Sequence, residues 1–89
     1  MEIFDHADDH DEYVTWLKRH WEDGLVLHFN GPTELVLHTA RCHCISGTPS
    51  FGDTWTNNRK FCSENRAELT TYATETAGVR AHVCSFCRP

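Results

Sequence analysis

Five cysteines, Cys42, Cys44, Cys62, Cys84 and Cys87, in a chain of only 89 residues limit what this polypeptide can become. They fall as Cys-x-Cys, a lone cysteine and Cys-x-x-Cys, with 17 and 21 residues between the groups. The number is odd, and the opening MEIFDHADDHDEY is acidic and lacks the apolar segment of a secretory signal. A complete disulfide framework is therefore not expected, and a reducing, cytoplasmic setting is. Grouped thiols in that setting are more often metal ligands than bridges. A core in a domain near this size adds only a few kcal/mol beyond conformational entropy, so a bound structural ion would decide whether the chain folds.

Cys84-Ser85-Phe86-Cys87 has the spacing of a zinc knuckle, in which one tight turn sets two sulfurs about 2.3 Å from a cation. The two remaining ligands are expected to be Cys62, at the mouth of a helix whose positive end favours a thiolate, and Cys42. Cys44 ranks below Cys42 because alternate residues of an extended segment point to opposite sides. His38 and His82 are the further alternates. The expected cofactor is one Zn2+ ion on Cys42, Cys62, Cys84 and Cys87. A thioredoxin-like use of Cys-x-x-Cys is disfavoured because no helix-length segment follows Cys87, and an iron–sulfur cluster because the tight cysteine run of a bacterial ferredoxin is missing.

Residues 1–8 are expected to be an acidic, flexible arm and residues 9–89 a single domain. From Asp9 to Trp21 the apolar spacing predicts a helix, opened by an Asp9–Glu12 capping box and stopped at Gly24. Its face is Tyr13, Trp16, Leu17, His20 and Trp21. Leu25 to Phe29 and Glu34 to His38 alternate as strands of a hairpin, Leu25, Leu27, Phe29, Leu35 and Leu37 on one face and His28 and His38 facing each other on the opposite one. A third strand over Arg59–Cys62, a helix from an N-cap at Ser63 to about Ala77, and a last strand over Val79–Val83 complete the order α-β-β-β-α-β. The predicted class is α+β: an antiparallel hairpin plus two helices, stapled by zinc.

Charge is uneven. Residues 1–23 carry eight acids against two bases, while the whole chain stands at −5 with histidines neutral. That argues against a protein that simply coats nucleic acid. No apolar run exceeds three residues, so no membrane span is predicted. The chain lacks the metalloprotease H-E-x-x-H, the His-x-Glu pairing of deaminases, a Gly-rich phosphate loop and the G-x-S-x-G nucleophile turn, so no catalytic residues are assigned.

Tyr13, Trp16 and Gly24, then Leu37-His38-Thr39-Ala40-Arg41-Cys42 with Ile45, Thr56, Lys60-Phe61-Cys62-Ser63, Glu68-Leu69 and Cys84-x-x-Cys87-x-Pro89, form a layout. It resembles that of a small zinc-binding domain of prokaryotic proteins, over residues 13–89. The resemblance matches His38, Cys42, Cys62, Cys84 and Cys87, and implies the company of DNA-handling or defence proteins. Cys44 and the shortened loop before Lys60 depart from it.

These readings predict an interaction module, a small regulator or adaptor, whose partner is nucleic acid or another protein. For nucleic acid, Arg41, Arg59, Lys60, Arg66, Arg80 and Arg88 would ring the metal, and Trp55 or Phe51 would stack on a base. For a protein partner, the acidic first helix would dock. A small metal-dependent nuclease is the enzymatic alternative.

Overall fold

The structure, a computed structural model, describes residues 1–4, 7–29, 34–45, 59–76, 78, 81–87 and 89. The fold is α+β. Strand β1 (Glu2–Phe4) and a 3-10 turn (Ala7–Asp9) lead into α1 (His10–Arg19). β2 (Leu25–Phe29), β3 (Leu35–Thr39) and β4 (Lys60–Ser63) follow, then α2 (Arg66–Thr71), which continues as a π-helical turn (Tyr72–Thr76), and β5 (Ala81–Val83). The strands form one mixed sheet in the order β1-β4-β2-β3-β5. All neighbours are antiparallel except β3 and β5, which run parallel.

The predicted order is recovered with one addition. Glu2–Phe4, assigned from sequence to a flexible arm, pairs with β4 as an edge strand, Ile3 opposite Phe61. Its physical warrant is Phe4, which is buried in the core against the ring of Tyr13, 5.8 Å between centroids.

Alternation along the strands gives the sheet two apolar faces, since directly paired residues share a face. On one face Leu27, Leu35, Leu37 and Phe61 meet Leu69 and Ala73 of the second helical segment. On the other, Phe4, Val26 and Cys62 meet Tyr13, Trp16 and Leu17 of α1. Among the described residues, no helix is long and apolar enough to cross a membrane.

Helix α1 ends at Arg19, short of the predicted Trp21, which stands 42% exposed. The Asp9 side chain makes no capping hydrogen bond, because its backbone is already helical (φ −85°, ψ −2°) rather than extended as an N-cap requires. The chain then turns through Gly24, whose N–H donates to the His20 carbonyl at 2.6 Å. A Cβ there would lie 2.6 Å from that same oxygen and 2.9 Å from the Trp16 ring, so only glycine fits. α2 is capped by Asn65, which accepts from the Glu68 N–H at 3.3 Å, while Ser63, the predicted cap, accepts from the Asn65 N–H at 2.9 Å.

Candidate metal centre

Parallel pairing of β5 with β3 assembles the site. It brings the carboxyl ends of both strands to the same end of the sheet, Leu37 opposite Val83. The Cys84 N–H extends the pairing, donating to the Leu37 carbonyl at 2.9 Å, so Cys84 starts its turn beside His38. The chain leaves β3 through tight turns, Cys42 N–H to the Thr39 carbonyl and Ile45 N–H to the Cys42 carbonyl, each 3.1 Å.

One ligand atom each from His38, Cys42, Cys44 and Cys84 therefore lies within 4.8 Å of all the others. The Sγ atoms of Cys42 and Cys84 are 3.9 Å apart. Four sulfurs about 2.3 Å from a tetrahedral ion would stand roughly 3.8 Å apart, so the spacing fits a bound metal with little rearrangement. His38 strengthens the fit. It is 3% exposed, and neither ring nitrogen has a hydrogen-bond partner among the described residues. A buried imidazole without partners is costly, and a metal would satisfy one nitrogen. This Cys/His cluster could hold a metal ion.

Backbone donors surround the sulfurs. Cys84 Sγ accepts from the Phe86 N–H at 3.4 Å, and Cys87 Sγ from the Thr39 N–H at 3.3 Å. Burial opposes the Cys84 thiolate, but the N–H groups of Cys87 and Phe86 and the neighbouring thiols of Cys42 and Cys87 outweigh it and hold this thiol below the ordinary range. Burial, against the Cys44 N–H, pushes the Cys42 thiol up. Burial also raises Cys44.

Two of the four expected ligands, Cys42 and Cys84, are in the cluster, joined by the alternates Cys44 and His38. Cys44 belongs because residues 40–45 turn instead of running extended, which removes the reason for ranking it below Cys42. Cys87 is half-buried, and its thiol is near enough to influence those of Cys42 and Cys84, so it stands beside the cluster as a fifth donor. Cys62 is elsewhere. It sits on β4 opposite Val26, which is itself opposite His38, so two strand spacings (about 10 Å) separate Cys62 from His38. It is 0% exposed in the core with Tyr13, and burial raises its thiol. His82 is exposed, its Nε2 3.9 Å from Glu34 Oε1.

The nucleic-acid candidates are dispersed. Lys60 is 3% exposed. Arg41 is exposed at the turn after β3, 3.5 Å from the Glu22 carboxylate. Arg66 donates to the Pro89 carbonyl at 2.9 Å. Arg59 is exposed just before β4. Phe51, Trp55, Arg80 and Arg88 lie outside the described residues.

The histidines expected to meet across the hairpin do so. Val26 pairs with His38 and His28 with Val36, which makes the two histidines diagonal neighbours on the α1 side of the sheet. Their rings stack at 4.6 Å and 19°. Burial, then Lys60 and His38, lower the pKa of His28 to about 3, and burial and Lys60 lower that of His38 to about 4. The buried lysine was the missed element of this face. Its signal was present in the strand alternation, which sets Lys60 and Cys62 on one side and Phe61 on the other.

No family model matches the chain, and no curated protein or solved structure is similar to it.

Proposed function

We propose that this chain is a small binding module, a regulator or adaptor, whose shape is held by one structural zinc ion, and that its acidic first helix docks a basic partner protein. The observation that carries the zinc reading is the convergence of His38, Cys42 and Cys44, at and just after the end of β3, with Cys84 just after β5, 42 residues beyond Cys42. Three thiolates and an imidazole suit zinc, and four protein donors leave the ion no position for a water, which favours a structural over a catalytic role. A metal-dependent nuclease is the lesser reading for the same reason.

The docking reading is supported by a groove of about 410 Å³ beside β1 and α1. Phe4 and Trp16 contribute its apolar part, and Glu2, Asp11 and Glu12 its carboxylates, against the single base Arg19. A partner presenting lysine or arginine would meet complementary charge. Nucleic acid is less favoured, because Lys60 is buried and Arg66 is engaged by a carbonyl.

Native mass spectrometry with metal analysis tests the first half: one zinc per chain is expected, with loss of cooperative unfolding on chelation. A metal-free chain that stays folded and cooperative would overturn it. For the second half, reversing Asp11 and Glu12 to lysine should abolish partner recovery in a pull-down while zinc content is kept. Undiminished recovery, or a DNA affinity that falls steeply between two salt concentrations, would redirect the reading.

A further inference from the structure

β1 is an outer strand of the sheet. In the order β1-β4-β2-β3-β5 it has β4 on one side and, among the described residues, no strand on the other. Alternate residues of such an edge turn their N–H and C=O groups outward, where a further strand can pair with them. The acidic groove of about 410 Å³ lies beside this edge, between β1 and α1. We propose that the basic partner adds an extended segment to β1 as a sixth strand, with lysine or arginine at every second position and apolar residues between. The inference rests on the docking reading and adds to it the conformation and sequence pattern of what docks.

The two faces of β1 set that pattern. Glu2 and Phe4 line the groove on the α1 side of the sheet. Ile3 is opposite Phe61, which belongs to the α2-side core, so Ile3 faces that side. It is 46% exposed, and Met1, whose amino group is 2.9 Å from Glu68 of α2, is 45% exposed. A strand added about 4.8 Å from β1 sends alternate side chains to these two faces. One set meets Glu2, Asp11 and Glu12 in the groove, and the other covers Ile3.

The charges around the groove favour a basic occupant. The carboxylates of Glu2, Asp11 and Glu12 line it, and Asp8 is exposed in the turn that leads into α1. Of the positive groups nearby, Arg19 also lines the groove, the Met1 amino group is held by Glu68, and Lys60 is buried on the Phe4 side of the sheet. The first turn of α1 adds about half a positive charge. The exposed carboxylates outnumber the one guanidinium and that half charge, so lysine or arginine is drawn in. At the opposite edge of the sheet, beside β5, there is no such bias: Glu34 and His82 stand 3.9 Å apart and offset each other when the histidine is protonated.

The test uses the zinc-loaded full chain and capped hexapeptides, with calorimetry for affinity and NMR amide exchange for geometry. The probe alternates lysine and valine. One control alternates glutamate and valine. A second is the lysine–valine peptide with every backbone amide N-methylated, which keeps the charge and removes the donors that strand pairing needs. The probe should bind saturably, more weakly as salt rises, and should slow exchange of at least one amide among Glu2, Ile3 and Phe4. Both controls should bind roughly tenfold more weakly or worse, the loss expected for one or two hydrogen bonds or for reversed charge. Ile3→Ser and the Asp11→Lys, Glu12→Lys pair should each weaken the probe while keeping zinc and melting behaviour, since all three residues are exposed. An N-methylated peptide that binds as well as the probe would overturn strand addition and leave charge docking standing. So would probe binding that protects no β1 amide, or a probe that does not bind while the Asp11 and Glu12 reversal still abolishes partner recovery. Probe affinity unchanged by that reversal would overturn the docking reading and the strand addition together.

Discussion

The sulfurs of Cys42 and Cys84 stand 3.9 Å apart, although 42 residues separate them in the chain. Nothing local brings them together. Their meeting depends on β5 lying parallel to β3, so that both strands end at the same edge of the sheet. The cluster is therefore a report on the tertiary fold, and an ion bound there would close the 42-residue span between Cys42 and Cys84.

Substitution of single donors should separate the true ligands from their neighbours. Cys44→Ser and Cys84→Ser should each lose zinc, measured as metal per chain after gel filtration, and should unfold at lower urea. Cys62→Ala should keep a full equivalent of zinc while losing stability by about 1–2 kcal/mol, the range for trimming a small buried side chain. Loss of metal from Cys62→Ala with retention in Cys44→Ser would restore the ligand set read from sequence.

Tyr13 couples α1 to the turn that carries Cys42 and Cys44. Its hydroxyl donates to the Ile45 carbonyl at 2.6 Å, and the residue is 0% exposed. Burial, and then Cys62 and Cys42, push its pKa well above the usual phenol range, so it remains a donor throughout the physiological interval. Tyr13→Phe leaves that carbonyl buried without its partner, which should cost about 1–3 kcal/mol. Chemical denaturation of the zinc-loaded protein checks the stability, and a competing chelator should strip zinc from the variant more readily. Equal midpoints and equal zinc retention would show that the bond contributes nothing.

Most of the fold was legible because its signals were periodic. The alternation of Leu25, Leu27, Leu35 and Leu37 predicted the hairpin and one apolar face, and the helical spacing of Tyr13, Trp16 and Leu17 predicted the other. β1 was not legible: three residues, of which only Phe4 is buried, carry no period. The site was half legible. Cys42 and Cys84 followed from cysteine grouping, but the parallel placement of β5 is a long-range fact without a local signature, and it is what puts His38 into the cluster and leaves Cys62 out. Cys44 ranks below Cys42 only in an extended chain, and here the backbone turns back on Thr39.

Gly24 should tolerate no side chain. A methyl group there would meet the His20 carbonyl at 2.6 Å and the Trp16 ring at 2.9 Å, and the carbonyl is backbone that already accepts the Gly24 N–H. The Gly24 carbonyl in turn accepts from the Ala40 N–H at 2.9 Å, at the start of the turn that carries Cys42. Gly24→Ala should therefore cost about 1–3 kcal/mol, as overpacking does, and should weaken zinc retention as well. Thermal unfolding with and without chelator measures both. An unchanged melting temperature would mean that the turn relaxes freely.

Lys60 gives a prediction with a defined dependence on pH. It is 3% exposed, and burial, partly offset by Cys62, lowers its pKa from 10.5 to about 8. Below pH 8 both folded and unfolded chains carry the charge, and the fold bears the full penalty of burying it. Between 8 and 10.5 the folded chain has released the proton while the unfolded chain still holds it, so this group makes stability rise with pH. Replacing it with an uncharged chain of similar length removes the penalty. Lys60→Met should be more stable than the parent at pH 7, by up to about 3 kcal/mol at 1.36 kcal/mol per unit. The advantage should shrink steadily from pH 8 toward 10.5. Comparing the two proteins at each pH cancels the titration of the shared cysteines. A Lys60→Met protein less stable than its parent at pH 7 would show that the lysine is held by a favourable contact that outweighs its burial.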